Sequence, residues 1–301
     1  MRAYKYKKVN AFTSSDSQGN PAAYLLVEGD VLTHNEMLRV GKEHAGFVSE
    51  VVFCTDSDKA DKKLTYYSSE CEVDFCGHGT VATMYDLIQN DEKLRVKSEI
   101  TIETNKKGIL TVYNCLDSED AVYISAPVAR YLELSLDKQS ISKVLEIKPD
   151  DIEENMAVDF IDAGLRTLIV PIISLEKEIS IYPDEKQLKE FCIANKIDII
   201  LIFSKETRNS ENIAHTRVFA PKFGYLEDPA TGSGNSAFAN YLLKNKLWNG
   251  EPVVVEQGGD NIAFNQIMIK MQEGNILFGG KATVVIEGKI FISEEWLFME
   301  S

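Results

Sequence analysis

An internal repeat at an offset of 155 residues constrains this chain more than any other feature. Cys76-Gly77-His78-Gly79-Thr80 aligns with Thr231-Gly232-Ser233-Gly234-Asn235, and Ala82 and Leu87 then align with Ala237 and Leu242. Each copy reads x-Gly-x-Gly and runs into an amphipathic helix with small residues in its first turns. Downstream, Glu103-Thr104-Asn105 loosely parallels Glu256-Gln257-Gly258, at an offset of 153. Self-similarity at half the chain length reads as a duplicated domain with pseudo-twofold symmetry. The length of 301 residues agrees, since a domain takes roughly 150.

The pattern between the repeats is one of many short strands and few helices. Strands are expected at 4–12, 22–27, 48–55, 64–67, 100–104, 109–113 and 121–125. Others are expected at 167–172, 199–203, 215–219, 252–256, 266–272 and 281–286. Gly19-Asn20-Pro21 is turn chemistry. Thr33 and Glu36 make a capping-box pattern for a helix running toward His44. Further helices are expected at 78–89, 139–145, 185–194 and 233–246. This mixture predicts an α+β fold instead of a doubly wound parallel sheet. No Pro- or Ser-rich linker is visible, so the boundary is a tight crossing near Ala126-Pro127.

Composition narrows the function. Lys plus Arg number 32 and Asp plus Glu 47, a formal charge of −15. A phosphate-tracking surface needs clustered cations, so nucleic acid is excluded as a main partner. Docking on an anionic membrane is disfavoured for the same reason. The most apolar run, 199–203, is far too short to span a bilayer, and no secretory signal is visible. A cytoplasmic location is expected. Five cysteines without a Cys-x-x-Cys pair argue against a disulfide scaffold. The four histidines are scattered without ligand spacing, so no metal is expected.

The glycine turns offer a way to hold an anion without Lys or Arg. The first N–H groups of a helix have no partner within it, and the macrodipole adds about half a positive charge there. Glycine lets a ligand approach that backbone closely. Each turn is equally compatible with a purely structural role in tight turning and close helix packing.

At these residues the sequence resembles a known family. Glu72-Val73-Asp74-Phe75-Cys76-Gly77-His78-Gly79-Thr80 looks like the first signature of the PhzF-like phenazine-biosynthesis family. Arg217-Val218-Phe219-Ala220-Pro221 with Glu227-Asp228-Pro229-Ala230-Thr231-Gly232-Ser233-Gly234 looks like the second. Gly19-Asn20-Pro21, Ser49-Glu50, Glu256-Gln257-Gly258, Gly280-Lys281-Ala282 and Gly288-Lys289 also match, in the right order along the chain. The resemblance implies the diaminopimelate-epimerase-like fold: two pseudo-symmetric domains, each a sheet curled around a central helix, with the active site between them. It assigns 1–125 to the first domain, completed by 289–301, and 126–288 to the second. It further implies an isomerase that needs no metal or other cofactor, a small carboxylate-bearing substrate and a homodimer.

The resemblance also singles out site residues. Glu50 matches the family's catalytic glutamate, and it falls in an otherwise apolar expected strand, where partial desolvation favours a proton-transfer role. His78 sits at a helix start, which disfavours its protonated form, and is expected to donate a hydrogen bond or shuttle a proton. Asp228 matches the family's aspartate and is expected to orient His78 or hold a polar substrate group. Gly77, Gly79, Gly232, Ser233 and Gly234 are candidates for binding a carboxylate or enolate through backbone N–H groups. Gly79 stands where the family carries alanine. Cys76 stays open between a reactive thiol and a small side chain beside the helix start. Its repeat partner is Thr231, whose hydroxyl is too weak an acid to replace a thiolate base, which disfavours a two-cysteine epimerase. Arg217 reads as a structural or rim charge.

The expected activity is proton movement on a small carboxylate by general acid/base catalysis. The alternatives are a Cys76-dependent dehydratase or racemase, and a small-molecule binding protein without turnover.

Overall fold

The computed structural model describes residues 1–29, 31–259 and 263–293. Two compact units are present, one of residues 1–13, 18–124 and the C-terminal segment from 280, the other of residues 14–17 and 125–279.

The first unit opens with β1 (Arg2–Ala11), which turns back into β2 (Asn20–Leu26). Gly19 sits at φ +68°, and a Cβ there would lie 2.5 Å from the Ala11 carbonyl oxygen, so the turn requires glycine. Helix α1 (His34–Glu43) crosses over to β3 (Val51–Thr55), which runs parallel to β2. The capping box read from Thr33 and Glu36 is present, with both reciprocal bonds made. β4 (Lys62–Tyr67) is antiparallel to β3. It pairs on its other side with the short β5 (Glu72–Val73) and, in parallel, with β6 (Glu99–Thr104). Between β5 and β6 run α2 (Gly77–Asn90) and the short α3 (Glu92–Arg95). β7 (Gly108–Cys115), the turn helix α4 (Leu116–Glu119) and β8 (Ala121–Ser125) complete the meander.

Helix α2 is the centre of this unit. It packs against β1, β2, β3 and the strand Ala282–Ile292, and Val81, Ala82, Met84 and Ile88 are buried along with Thr80, Thr83 and Asp86. Asp86 is held by Lys7 at 3.0 Å and by Tyr24. On the α1 side, Tyr4, Leu25, Val40, Val51, Phe53 and Tyr67 form a second apolar cluster.

In the second unit, β9 (Arg130–Tyr131) pairs with β10 (Asp159–Asp162), with α5 (Lys138–Val144) between them. β10 is antiparallel to β11 (Arg166–Pro171). Helices α6 (Leu175–Ile179) and α7 (Glu185–Ala194) lead to β12 (Ile199–Ser204), parallel to β11. β13 (Ala214–Phe219) is antiparallel to β12; it pairs with β14 (Glu227–Asp228) and, in parallel, with β15 (Val253–Gln257). Helix α8 (Gly232–Lys244) lies between β14 and β15. β16 (Asn265–Gln272) and β17 (Asn275–Gly280) close the unit.

Strand for strand, β10–β17 repeat the order and directions of β1–β8, with α8 in the place of α2. The duplication expected from the glycine turns is therefore present at the level of topology, and the class is α+β as expected.

Three expectations change. The strand expected at 48–55 begins only at Val51. Residues 44–47 turn at the end of α1, with Val48 N–H donating to the His44 carbonyl, so the ladder cannot start earlier. The strand expected at 281–286 and the segment from 289 expected to complete the first domain are one strand, Ala282–Ile292, paired to β1 with a register shift at Lys8/Val9. The return to the first unit thus starts before residue 289, and 294–301 lie outside the described residues. β17 was not expected. Glu273 (φ 51°) and Gly274 (φ 81°) form a two-residue turn between Gln272 and Asn275, a tight hairpin geometry carried by a Glu-Gly pair that is a weak turn signal. Among the described residues no helix is long and apolar enough to cross a membrane.

Candidate active site

The start of α2 is built around a cysteine. Cys76 has extended backbone (φ −127°, ψ 110°) and is the N-cap, its Sγ accepting from Gly79 N–H at 3.2 Å. Its carbonyl accepts from Thr80 N–H and Thr80 Oγ1, and the Thr80 hydroxyl bonds Tyr66 at 2.7 Å. A sulfur cap is bulkier than the usual oxygen. This explains the glycine at 79, where a Cβ would lie 2.9 Å from Val52 Cγ2 and 3.0 Å from Cys76 Sγ. The N–H of Gly79 is engaged by the thiol, so among the sequence-predicted anion donors it is the one already occupied.

Glu50 meets this helix start. It is the residue just before β3, not inside it, and its carbonyl accepts from Ala23 N–H of β2. Its Oε2 lies 3.6 Å from Cys76 Sγ and 3.3 Å from His78 Nε2. Cys76 Sγ is 3.5 Å from His78 Nδ1. The side chains of Glu50 and His78 are 19% and 13% exposed, so the cluster is largely dry yet reachable. Burial lowers the His78 pKa to about 4, against the opposing effect of a hydrogen bond to Pro21. Pro has no N–H, so that bond runs from the ring to the Pro21 carbonyl. The imidazole is therefore neutral at neutral pH, as expected, with burial as the leading cause.

The second unit carries a different arrangement at the matching turn. Thr231 is the N-cap of α8 but makes no side-chain cap bond. Its hydroxyl donates to Asp228 Oδ2 at 2.5 Å and accepts from Gln257 Nε2 at 3.1 Å. Gln257 Oε1 accepts from Thr231 N–H and Asn235 Nδ2. Asp228 is thus anchored within its own unit on Thr231. Gly232, Ser233 and Gly234 form the first turn of α8, with Ser233 half-buried. A Cβ on Gly232 would lie 2.3 Å from the Phe278 ring. Gly232→Ala is expected to destabilise the protein by about 1–3 kcal/mol through overpacking. Denaturant unfolding checks this, and an unchanged midpoint would show that the ring can move aside.

The duplication supplies an internal comparison for Glu50. Val51 pairs with Tyr67 in the first unit and Ile200 with Phe219 in the second, and Tyr67 and Phe219 lie next to the two glycine-turn motifs, opposite Glu72 and Glu227. The place of Glu50 is therefore taken by Ile199 in the second unit, and Asp198, the residue before it, faces the other way. Asp198 takes Arg166 Nε at 2.9 Å and Nη2 at 2.8 Å, and Lys222 Nζ at 2.6 Å. Burial would raise its pKa, but the bonds from Arg166 and Lys222 outweigh that and hold the carboxyl well below the usual range. Glu50, by contrast, faces the thiol and the neutral imidazole at the start of α2.

Several polar residues in the second unit form a structural network that the sequence reading did not assemble. Arg217 is fully buried, not a rim charge. It donates to Glu227 through Nε at 3.0 Å and Nη2 at 2.8 Å, and through Nη1 to the carbonyls of Glu178, Ile179 and Ile181. The first two are carbonyls at the end of α6, which lack partners within the helix. Glu178 Oε1 lies 3.1 Å from His215 Nδ1. Burial drives the Glu178 pKa up and the His215 pKa down. Arg217 and Glu227 stand in one motif, but their link to α6 has no sequence signal.

The chain matches the family described as phenazine biosynthesis-like protein (PhzC-PhzF) over residues 9–288. It is 31% identical over 297 residues to the uncharacterized isomerase YfhB of Bacillus subtilis (strain 168), with 98% of each chain covered. It is 27% identical over 315 residues to the uncharacterized isomerase mll1393 of Mesorhizobium japonicum, covering 97% of this chain and 100% of that one. A crystal structure of the Bacillus anthracis phenazine biosynthesis protein of the PhzF family matches with a TM-score of 0.86 at 24% identity, over 97% of this chain and 100% of that one. A hydroxyproline epimerase from Agrobacterium vitis matches with a TM-score of 0.61 at 12% identity, over 96% and 92%. These structural likenesses concern the fold and agree with the diaminopimelate-epimerase-like architecture. With a family match that runs nearly the whole length and a relative similar along all of it, the chain belongs to the PhzF-like phenazine biosynthesis family.

Proposed function

We propose that this protein is a cofactor-independent isomerase that moves a proton on a small carboxylate-bearing metabolite, with Glu50 as the proton carrier. The observation that carries this reading is the meeting of the Glu50 carboxylate with the Cys76 thiol and the His78 imidazole at the start of α2. The matching place in the second unit is Ile199, so of the two repeats the first carries a carboxylate at this helix start and the second an apolar side chain. A carboxylate in a largely dry setting, beside a thiol and an imidazole, is suited to take and return a proton. His78, kept neutral, donates or relays a proton without competing for negative charge. The N–H groups of Gly77 and His78 in the first turn of α2 favour the substrate carboxylate and the charge that develops on its neighbouring carbon. The turn at Asp228, Gly232, Ser233 and Gly234 is assigned to substrate positioning on its family match alone. Relatives named as isomerases support the reaction class.

A second reading is favoured by one distance. Cys76 Sγ lies 3.5 Å from His78 Nδ1, so a thiol base paired with imidazole, as in a racemase or dehydratase, is the alternative. Incubating a metabolite pool with the protein in heavy water separates these readings. The expected result is one carboxylate product labelled at carbon, formed at a comparable rate by Cys76→Ser. Loss of labelling in Cys76→Ser would transfer the role to the thiol. Tight metabolite binding with no labelling would make the protein a binding module.

A further inference from the structure

The cluster of Glu50, Cys76 and His78 has a second chemistry. Spacing along the sequence offers no metal-ligand set, yet the fold brings one ligand atom from each residue within 4.8 Å of the others. The separations are 3.6 Å for Sγ to Oε2, 3.8 Å for Sγ to Nε2 and 3.3 Å for Nε2 to Oε2. Around zinc, with Zn–S about 2.3 Å and Zn–N or Zn–O about 2.0–2.1 Å, the edges of a ligand tetrahedron are about 3.3–3.6 Å. The three side chains thus already stand at about the spacing of three corners of such a tetrahedron. Thiolate, imidazole and carboxylate together suit zinc, while magnesium and calcium prefer oxygen alone. His78 also bonds the Pro21 carbonyl, the kind of outer partner that fixes the ring of a metal-binding histidine.

We propose that Glu50, Cys76 and His78 form a three-ligand site for a thiophilic divalent cation, zinc above all, whose binding blocks the proton carrier. Binding exchanges the Cys76 S–H bond for an S–Zn bond and releases that proton to solvent. Two anionic ligands then balance the charge of the ion. The fourth corner stays open to water or a substrate carboxylate. The positive end of α2 opposes a cation, so the site holds zinc less tightly than a closed four-ligand site, and a chelator removes it. The blocking role rests on Glu50 being the proton carrier; the cation site does not.

The test uses cobalt as a visible probe, followed by zinc. The metal-free full chain is titrated with Co²⁺, and the near-ultraviolet absorption of a cobalt–thiolate bond is recorded. One equivalent is expected to bind, with the band abolished by Cys76→Ser, weakened more than tenfold by Glu50→Gln and displaced by zinc. Cys71→Ser, which removes an exposed thiol, is expected to leave the band unchanged. No thiolate band, or a band that survives Cys76→Ser and disappears with Cys71→Ser, overturns the site. Zinc is further expected to stop isotope exchange reversibly. Zinc bound without loss of exchange overturns the blocking role. Wild-type exchange in Glu50→Gln overturns the assignment of the proton carrier while leaving the cobalt result in place.

Discussion

Glu50→Gln is expected to reduce solvent-deuterium exchange into the substrate by about 10²- to 10⁴-fold, the usual worth of a positioned acid/base group, with the fold intact. Glutamine keeps the shape and hydrogen-bonding reach of the side chain but cannot accept a proton and return it. The backbone at Glu50 carries the ladder bond from Ala23, and substitution leaves that bond in place, so the unfolding midpoint is expected to move little. Asp198→Asn is the control. It removes a carboxylate that also stands just before a strand, but one whose charge is held by Arg166 and Lys222. That variant is expected to lose stability and keep exchange. The two substitutions therefore have opposite signatures, activity without stability at 50 and stability without activity at 198. Wild-type exchange in Glu50→Gln, or an equal loss of exchange in a folded Asp198→Asn, overturns the assignment.

Arg217→Met is expected to destabilise the protein by about 3–5 kcal/mol, the cost of leaving a mostly buried charge and its polar partners uncompensated. Methionine fills much of the space but donates no hydrogen bond. Glu227 loses a two-bond partner, and the carbonyls of Glu178, Ile179 and Ile181 lose their donor in a region closed to water. The melting temperature is expected to fall by on the order of 10 °C. Adding Glu227→Leu to the same chain removes the stranded carboxylate and is expected to restore part of the loss. Calorimetry of the single and double variants checks both statements. A single-variant loss below about 1 kcal/mol would mean that water reaches Glu227 and the carbonyls.

Much of the fold was legible because its signals are local. The capping box at Thr33 and Glu36 foretold α1, and the glycine turns foretold α2 and α8 to within about a residue at their starts. Alternation marked strands such as β6, where Ile100, Ile102 and Thr104 face the core. The segments that escaped were those with weak or overridden local signals. β10 is four residues long, β17 follows a Glu-Gly turn, and the chain at 48–50 reads as strand but is still leaving α1.

The amino-acid sequence by itself determined the duplication, the α+β class, the family and which residues to watch, because repeats, caps and glycine turns are written in short stretches of chain. What each polar residue does was decided only by tertiary structure. Glu50 and His78 are 28 positions apart, and they meet because β3 lies beside β2 and α2 begins against Val52. The two carboxylates Glu50 and Asp198 each stand just before a strand, but their surroundings differ. An arginine and a lysine neutralise one, while a thiol and a neutral imidazole face the other. A charge is set by its neighbours in space, and the neighbours of these two side chains come from strands and turns far away along the chain.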